Sequence, residues 1–537
     1  MFTLLGLAEV ALPCTLDDTS VRSKAPQAAP NWPRLAPWRR NKLSTRDEKV
    51  QNGLGAFRVL INLPHGRQKW RRACQTLLLG IPLLSGCTVG PRFHTPRVTV
   101  PARYASAPQD APPAWPSSTW WRGFGSPALN SLIQEAEQHN FTIRIAVAQL
   151  QAANAQVEVV GAPLLPTLGA NVSGQWQRAP RSNPPTPTSH QFGAAIQTSY
   201  ELDFWGKNRD SLRAAEANAA ASRFNRDTIA LTAVSAVATT WFQILADRNA
   251  LRIGLRNLAV AENLLTQLKA ELNAGTTDAV TVAQQAALVA SERATIPTLR
   301  SQLQQETLGL GILVGKPPEL LAAPSGDIAA LTVPKIVPGL PAHLLRRRPD
   351  IARAEANLVA ANANVRGAIA SFFPNINLTG SAGWSSAALN TLLAPGSLLL
   401  SAAAAIDQPL FEGGALTGNL AVSRATYREN VAVYEQTVVQ AFTDVDTALV
   451  DLHYATEQQR RAAEAVNEAR AALAAVRAQL AAGIIDVSAV LIAEETLLTD
   501  ENSYTQAQLA RLDAAVDLYK ALGGGWHAPS PSPLSGN

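Results

Sequence analysis

The second half of this 537-residue chain repeats the first at a constant offset of 208. Ala152-Ala153-Asn154-Ala155 recurs as Ala360-Ala361-Asn362-Ala363, Pro166 as Pro374, Trp176 as Trp384 and Gly206 as Gly414. Ala274-Gly275 with Asp278 recurs as Ala482-Gly483 with Asp486. One offset held over more than 120 residues points to two copies of one unit, at 127–315 and 341–523, joined by a Pro-rich linker at 316–340. A period this long marks a duplicated domain, not a stacked array of short repeats. The flanking segments divide into 1–66, 67–86, 87–126 and a tail at 524–537.

Each copy runs through the same patterns. A helix comes first, with Leu132, Ile133, Ile143, Val147 and Leu150 at mixed spacings of three and four. Two alternating segments follow. Leu168, Ala170, Val172 and Trp176 alternate with Thr167, Asn171, Ser173 and Gln175, and Ile376, Leu378, Ala382 and Trp384 do the same in the second copy. Beyond a Pro-rich loop at 180–189, Phe192, Ala194, Ile196, Thr198, Tyr200, Leu202 and Phe204 hold every even position. Their counterpart at about 398–411 is blurred because alanine fills both faces. Such alternation fits membrane-barrel strands, polar inside, with Trp176, Phe192, Tyr200, Phe204 and Trp384 facing lipid. A sandwich strand with one face on a soluble core has the same period. Two hairpins supply four strands, whereas a closed membrane barrel needs about eight or more. Open edges are not tolerated in lipid, so a barrel would require several chains.

After each hairpin the chain is Pro-free for a long way. Leu258, Ala261, Leu265, Leu268 and Leu272 follow a 3-4-3-4 spacing, matched at the same offset by Val466, Ala469, Leu473, Val476 and Leu480. This is the seven-residue period of left-handed coiled-coil packing. Residues 414–480, as one helix, would extend ~100 Å. Each long helix should stop at Gly275 or Gly483 and a new one start at Asp278 or Asp486, since glycine ends helices and aspartate caps their N-termini. Two helical hairpins result.

A leader precedes all of this. Arg67, Lys69, Arg71 and Arg72 are followed by an apolar run from Thr76 to Leu84, and then by Leu84-Ser85-Gly86-Cys87. The order resembles a bacterial lipoprotein signal at 67–86, with Cys87 acylated as the new N-terminus. A buried strand ending in Cys is the other reading, and the run is too short for a membrane-spanning helix, which needs ~20 residues. Residues 1–66 lack periodicity and read as an extension or over-long start. The net charge of +5 belongs to the leader: residues after 86 carry 33 Lys+Arg against 36 Asp+Glu, which removes the case for nucleic-acid binding. Cys14 and Cys74 precede the expected cut, so neither a disulfide nor a Cys-based metal site is expected after it.

From Cys87 onward the chain resembles the TolC-type outer-membrane efflux proteins, in their lipoprotein (OprM-like, or NodT) branch. The residues that carry the resemblance are Cys87-Thr88-Val89-Gly90-Pro91, Trp120-Trp121-Arg122-Gly123-Phe124-Gly125, Leu129-Asn130 with Leu132-Ile133, Leu345-Arg346-Arg347-Arg348-Pro349-Asp350-Ile351 with Ala354-Glu355, Phe372-Phe373-Pro374, and Tyr519-Lys520-Ala521-Leu522-Gly523-Gly524-Gly525-Trp526. The resemblance implies an α+β membrane protein: a homotrimer whose four strands per chain close a 12-stranded β-barrel in the outer membrane, continued by a periplasmic α-helical barrel. It implies a passive exit duct for small toxic compounds, working with a periplasmic adaptor and an inner-membrane RND transporter, with no catalysis and no cofactor. It also implies that Gly275-Thr276-Thr277-Asp278 and Gly483-Ile484-Ile485-Asp486 meet the adaptor at the closed end. Turn-and-cap chemistry alone accounts equally for the glycines and aspartates, whereas Ile484 and Ile485 favour a contact surface. Many relatives place an acidic ring in a Val-Leu-Asp-Ala segment. Here Val490-Leu491-Ile492-Ala493 stands in its place. The Arg346–Asp350 run reads as structural.

Other chemistry is poorly supported. The seven histidines show no metal-ligand spacing, and no Gly-x-Ser-x-Gly elbow occurs. The Gly311–Lys316 stretch departs from a phosphate loop in its spacing and in Pro317. Gly414 and Gly418 read as close packing at a helix start. Two other functions remain open at this stage: the exit duct of a type I protein-secretion system, and a lipid-anchored coiled-coil scaffold without a pore.

Overall fold

The computed structural model describes residues 89–106, 115–178, 189–321, 326–336 and 338–528. All of them belong to the compact unit Pro82–Asn537. The 1–66 extension, the 67–86 signal, Cys87, most of the 180–189 loop and the end of the tail lie outside the described residues.

The first copy opens with two helices, not the single one expected. Helix α1 (Pro127–His139) is capped by Ser126, whose Oγ accepts the Leu129 N–H at 3.2 Å. Helix α2 (Phe141–Gly161) starts afresh at Asn140, which is 3% exposed. Asn140 Oδ1 accepts the N–H groups of Thr142 (2.9 Å) and Ile143 (3.1 Å), and its Nδ2 donates to the Leu313 carbonyl at 2.7 Å. A long-range partner therefore holds this cap in the interior and breaks a pattern that local periodicity would continue.

Strands β1 (Thr167–Gln177), β2 (Ser189–Leu202), β3 (Asn375–Ser386) and β4 (Leu398–Asp407) form one antiparallel sheet in the order β1-β2-β3-β4. The hairpin registers are equivalent: Thr167 faces Ser199 in the first, and Asn375 faces Asp407 in the second, each residue 208 positions on. β4 ends at Asp407, short of the expected 411, and Leu410 and Phe411 beyond it are exposed.

Helices α3 (Lys207–Ala274, 68 residues) and α4 (Ala279–Val314) follow the first hairpin. Helix α5 (Pro349–Ala370) precedes β3, and α6 (Ala415–Ala481, 67 residues) and α7 (Val487–Ala521) follow β4. The starts of α2, β1, α3 and α4 recur 208 residues later as those of α5, β3, α6 and α7. At 1.5 Å per residue, α3 and α6 are each ~100 Å long. Half of the heptad positions are buried, Ala261 and Leu268 in one helix and Val466, Ala469 and Leu473 in the other, while Leu258, Leu265, Val476 and Leu480 are half-buried and Leu272 is exposed.

The largest apolar core gathers Trp120, Trp121 and Phe124, from a short 3-10 turn, with Val237, Trp241, Phe242 and Ile244 of α3 and Leu512, Val516 and Tyr519 of α7. α3 is long and apolar enough by composition to cross a membrane, but these residues show that its apolarity serves this core. The motifs that carried the family resemblance meet here. Trp120 stacks on Tyr519 with ring centroids 4.9 Å apart. Arg348 pairs with Asp350 (2.6 Å) and Asp444 (2.9 Å) and donates to the Ala521 carbonyl at 3.2 Å, which joins the start of α5 to α6 and to the end of α7. Gly523, at φ +85°, passes so close to the Arg347 carbonyl that a Cβ would sit 1.9 Å from its oxygen. Trp526 Nε1 then donates to Asp227 Oδ2 of α3 at 3.0 Å.

Candidate functional site

Directly opposed residues of an antiparallel pair point to one face, so the strand registers sort the whole sheet. One face carries Leu168, Ala170, Val172 and Trp176 of β1, Phe192, Ala194, Ile196 and Tyr200 of β2, Ile376, Leu378, Ala382 and Trp384 of β3, and Leu398, Leu400 and Ile406 of β4. The other carries Asn171, Ser173, Gln175, Gln191, Gln197, Glu201, Asn377, Thr379, Ser381 and Ser401. On the polar face, Ser381 and Ser401 share a hydroxyl hydrogen bond of 2.8 Å. The segregation runs across β1, β2 and β3 and is partial on β4, where Leu398, Leu400 and Ile406 take the apolar face but Leu399, opposite Gly383, stands with Ser401 on the other.

Neither face is covered among the described residues. Every residue of β1 and β4 is exposed, with Val172 at 82%, Leu400 at 69% and Ile406 at 71%. A sandwich strand would bury one of these faces against a second layer, so the sandwich reading does not describe this sheet. The aromatics lie in two rows. In register, Trp176 (opposite His190) and Trp384 (opposite Ala194) each lie two residues from Phe192 near the loops, and Tyr200 lies eight residues from Phe192 toward the helices. Eight residues span ~27 Å along a strand, or ~21 Å across a bilayer at a barrel tilt of ~40°. That matches an apolar band flanked by aromatic girdles.

Phe204, expected on this face, is not on the sheet. β2 ends at Leu202 and Phe204 is half-buried in the turn. The chain leaves the sheet because the Asp203 carboxylate accepts the N–H groups of Asn208 (3.1 Å) and Arg209 (2.9 Å), binding it to the first turn of α3. Trp205 then stacks on Phe373 at 4.8 Å and donates to the Pro374 carbonyl at 2.9 Å.

At the far ends of the long helices stand the two reversals. Gly275 closes α3 at φ +75° and Gly483 follows α6 at φ +69°, a left-handed conformation that suits residues without a Cβ. Thr276 donates its N–H and its hydroxyl to the Glu271 carbonyl, and Thr277 is half-buried. Asp278 caps α4, its Oδ1 accepting the Thr281 N–H at 2.9 Å and its Oδ2 the Thr281 hydroxyl at 3.1 Å. Asp486 caps α7, accepting the Ser488 N–H at 2.7 Å and the Ser488 hydroxyl. The Thr281 hydrogen bonds hold the Asp278 carboxyl below the usual carboxylate range, and the Ser488 bonds do the same for Asp486. Both are fully exposed anions. Ile484 is 71% exposed and Ile492 66%, whereas Ile485 is half-buried and Val487 and Val490 are buried.

The model of the outer membrane efflux protein family matches residues 132–316 and again 340–524. This chain belongs to that family. It is 34% identical over 418 residues to the pyoverdine export outer membrane protein OpmQ of Pseudomonas aeruginosa, covering 76% of this chain and 88% of that one. It is 30% identical to SilC of Salmonella typhimurium, described as a probable outer membrane lipoprotein, over 83% of this chain and 97% of SilC. Among solved structures it resembles the open state of the outer-membrane channel MtrE of Neisseria gonorrhoeae, with a TM-score of 0.75, 30% identity, and coverage of 82% of this chain and 98% of that one. The chain is an outer-membrane efflux channel protein.

Sequence reasoning found the sheet face and the reversals but missed the ion pairs that tie the long helices together. Glu501 of α7, 6% exposed, is bonded to Arg256 of α3 and, at 2.9 Å, to Arg470 of α6. Arg256 and Glu501 lie 245 residues apart, and neither stands out among the charges of an exposed helix.

Proposed function

We propose that three copies of the chain join their sheets into one 12-stranded barrel through the outer membrane, and that the helices continue it as a periplasmic duct. The duct passes small toxic compounds or drugs outward and is driven by an inner-membrane RND transporter through a periplasmic adaptor. The observation that carries this reading is a sheet with an apolar and a polar face, both uncovered and both edges open, on a chain of efflux-channel family membership. A closed barrel satisfies both edges, turns the apolar face to lipid and the polar face to water. Four strands are too few to do this alone. Cys87 carries the lipid, and the duplicated halves (127–315 and 341–523) line the ring. The reversals at Gly275–Asp278 and Gly483–Asp486 dock the adaptor, with Ile484 as the apolar contact. Ile492 takes the entrance position that is acidic in many relatives.

Single-channel recording of the purified protein in a planar bilayer tests the duct. Small stable conductances that rise on loosening the reversals support it, whereas an inserted oligomer that conducts under no condition refutes it. Ile484→Asp should weaken capture of the adaptor by at least tenfold without altering the oligomer. Unchanged capture would remove the tip from the interface.

A further inference from the structure

The clamp of Arg256, Glu501 and Arg470 has a charge-reversed image at the same helical positions of the other copy. Fifty residues into α3 stands Arg256, and fifty into α6 stands Glu464. Glu501 of α7 corresponds to Arg293 of α4, and Arg470 of α6 to Glu262 of α3. The pair within each hairpin is conserved in place and inverted in sign: Arg470 to Glu501 at 2.9 Å, Glu262 to Arg293 at 2.6 Å. The third member differs. Arg256 meets Glu501 within the chain, whereas Glu464 is half exposed and, among the described residues, bonded only along its own helix, to Arg460 (3.1 Å) and Arg461 (3.2 Å).

A second seam behaves the same way. Ala214 and Ala217 of α3 pack on Ala360 and Ala363 of α5, all between 4% and 8% exposed. Their equivalents at the offset of 208 are Val422 and Ala425 of α6, and Ala152 and Ala155 of α2, and all four are exposed, Val422 at 65%. The chain thus buries one half–half interface and displays the two complementary halves of another.

We infer that a second copy of this chain occupies that displayed surface, its first half packing on the second half of its neighbour, with Glu464 of one copy bonded to Arg293 of the next. This rests on the trimer reading above and specifies its helical seam. The charges also forbid the wrong order. First halves present arginine on both flanks (Arg256 and Arg293), and second halves present glutamate on both (Glu464 and Glu501). First-on-first packing would oppose Arg256 to Arg293, and second-on-second would oppose Glu464 to Glu501. Like charges at a packed seam reject those pairings. Halves must alternate around the ring, which means whole copies joined head to tail.

The test uses the full chain purified in detergent. After residue 87 the sequence holds no cysteine, so Glu464→Cys with Arg293→Cys, treated with a short bismaleimide, should link chains into dimers and trimers on denaturing gels. Glu464→Arg and Arg293→Glu should each lower the temperature at which the oligomer dissociates. The triple variant E464R/R293E/E262R, which copies the Arg–Glu–Arg polarity of the intact clamp, should restore it. Glu457→Arg, which takes a carboxylate from the same Arg460 and Arg461, should lower it less than Glu464→Arg. A three-chain particle that gives no crosslink, single variants without effect, or a triple variant no better than Glu464→Arg would each overturn the seam and leave the trimer standing. A particle of single-chain mass would overturn both.

Discussion

Ile196 and its neighbour Gln197 give the sharpest test of the sheet. Ile196 faces Ala170 and Ala382 on the apolar side, four residues from both Phe192 and Tyr200, and so at mid-height of the apolar band. Gln197 faces Gly169 and Ser381 on the polar side. An arginine on the lipid face at the bilayer midplane costs about 2–4 kcal/mol, while lumen positions tolerate charge. Three copies of Ile196→Arg would therefore cost about 6–12 kcal/mol per barrel, enough to consume most of an ordinary stability. Gln197→Arg, one residue away with the same added charge, should fold nearly as well as wild type. Refolding into liposomes across a urea series, read as the fraction of heat-modifiable oligomer, measures both. The reasoning fails if Gln197→Arg loses as much folded protein as Ile196→Arg.

Arg348→Ala should destabilise the fold by about 3 kcal/mol, because it strands Asp350 and Asp444 and frees the Ala521 carbonyl. The figure sits at the low end for a broken ion pair because both carboxylates keep some water, and a denaturant midpoint equal to wild type would refute it. Burial, with Asp517 adding to it, pushes the Asp513 carboxyl up to about 7. The folded state therefore holds that proton where the unfolded chain has released it, and stability falls as pH rises from ~4 to ~7. Asp513→Asn should flatten this slope, and an unaltered pH profile would refute the assignment. Ile492→Asp should raise the cation preference of the open channel, measured as a reversal-potential shift in a salt gradient, and no shift would remove residue 492 from the conducting path.

Much of the candidate site was legible in the chain itself. The sheet's apolar face was readable because a strand's side chains alternate with a strict period of two, and each of β1, β2 and β3 keeps it. β4 was not readable, since alanine is indifferent to its surroundings, and only pairing with β3 assigned its face. Phe204 followed the same period and yet left the sheet, because Asp203 found backbone donors in the next helix. The reversals were legible because glycine at positive φ and an aspartate cap act within four residues of themselves. Asn140 has the same capping chemistry, but the choice to break a helix there depends on the Leu313 carbonyl, 173 residues away.

The sequence by itself determined the duplication, the extent of the two long helices, the reversal points and the two-sided character of strands β1 to β3. These follow from steric and solvation preferences acting between near neighbours, which any window of the chain carries in full. Only the tertiary structure decided which charges are paired, which face of an alanine-rich strand is apolar, and which of two identical Ala-Ala-Asn-Ala faces is buried. Those outcomes depend on desolvation by partners hundreds of residues away. For the Ala-Ala-Asn-Ala face of the first copy, the proposed partner lies in another chain.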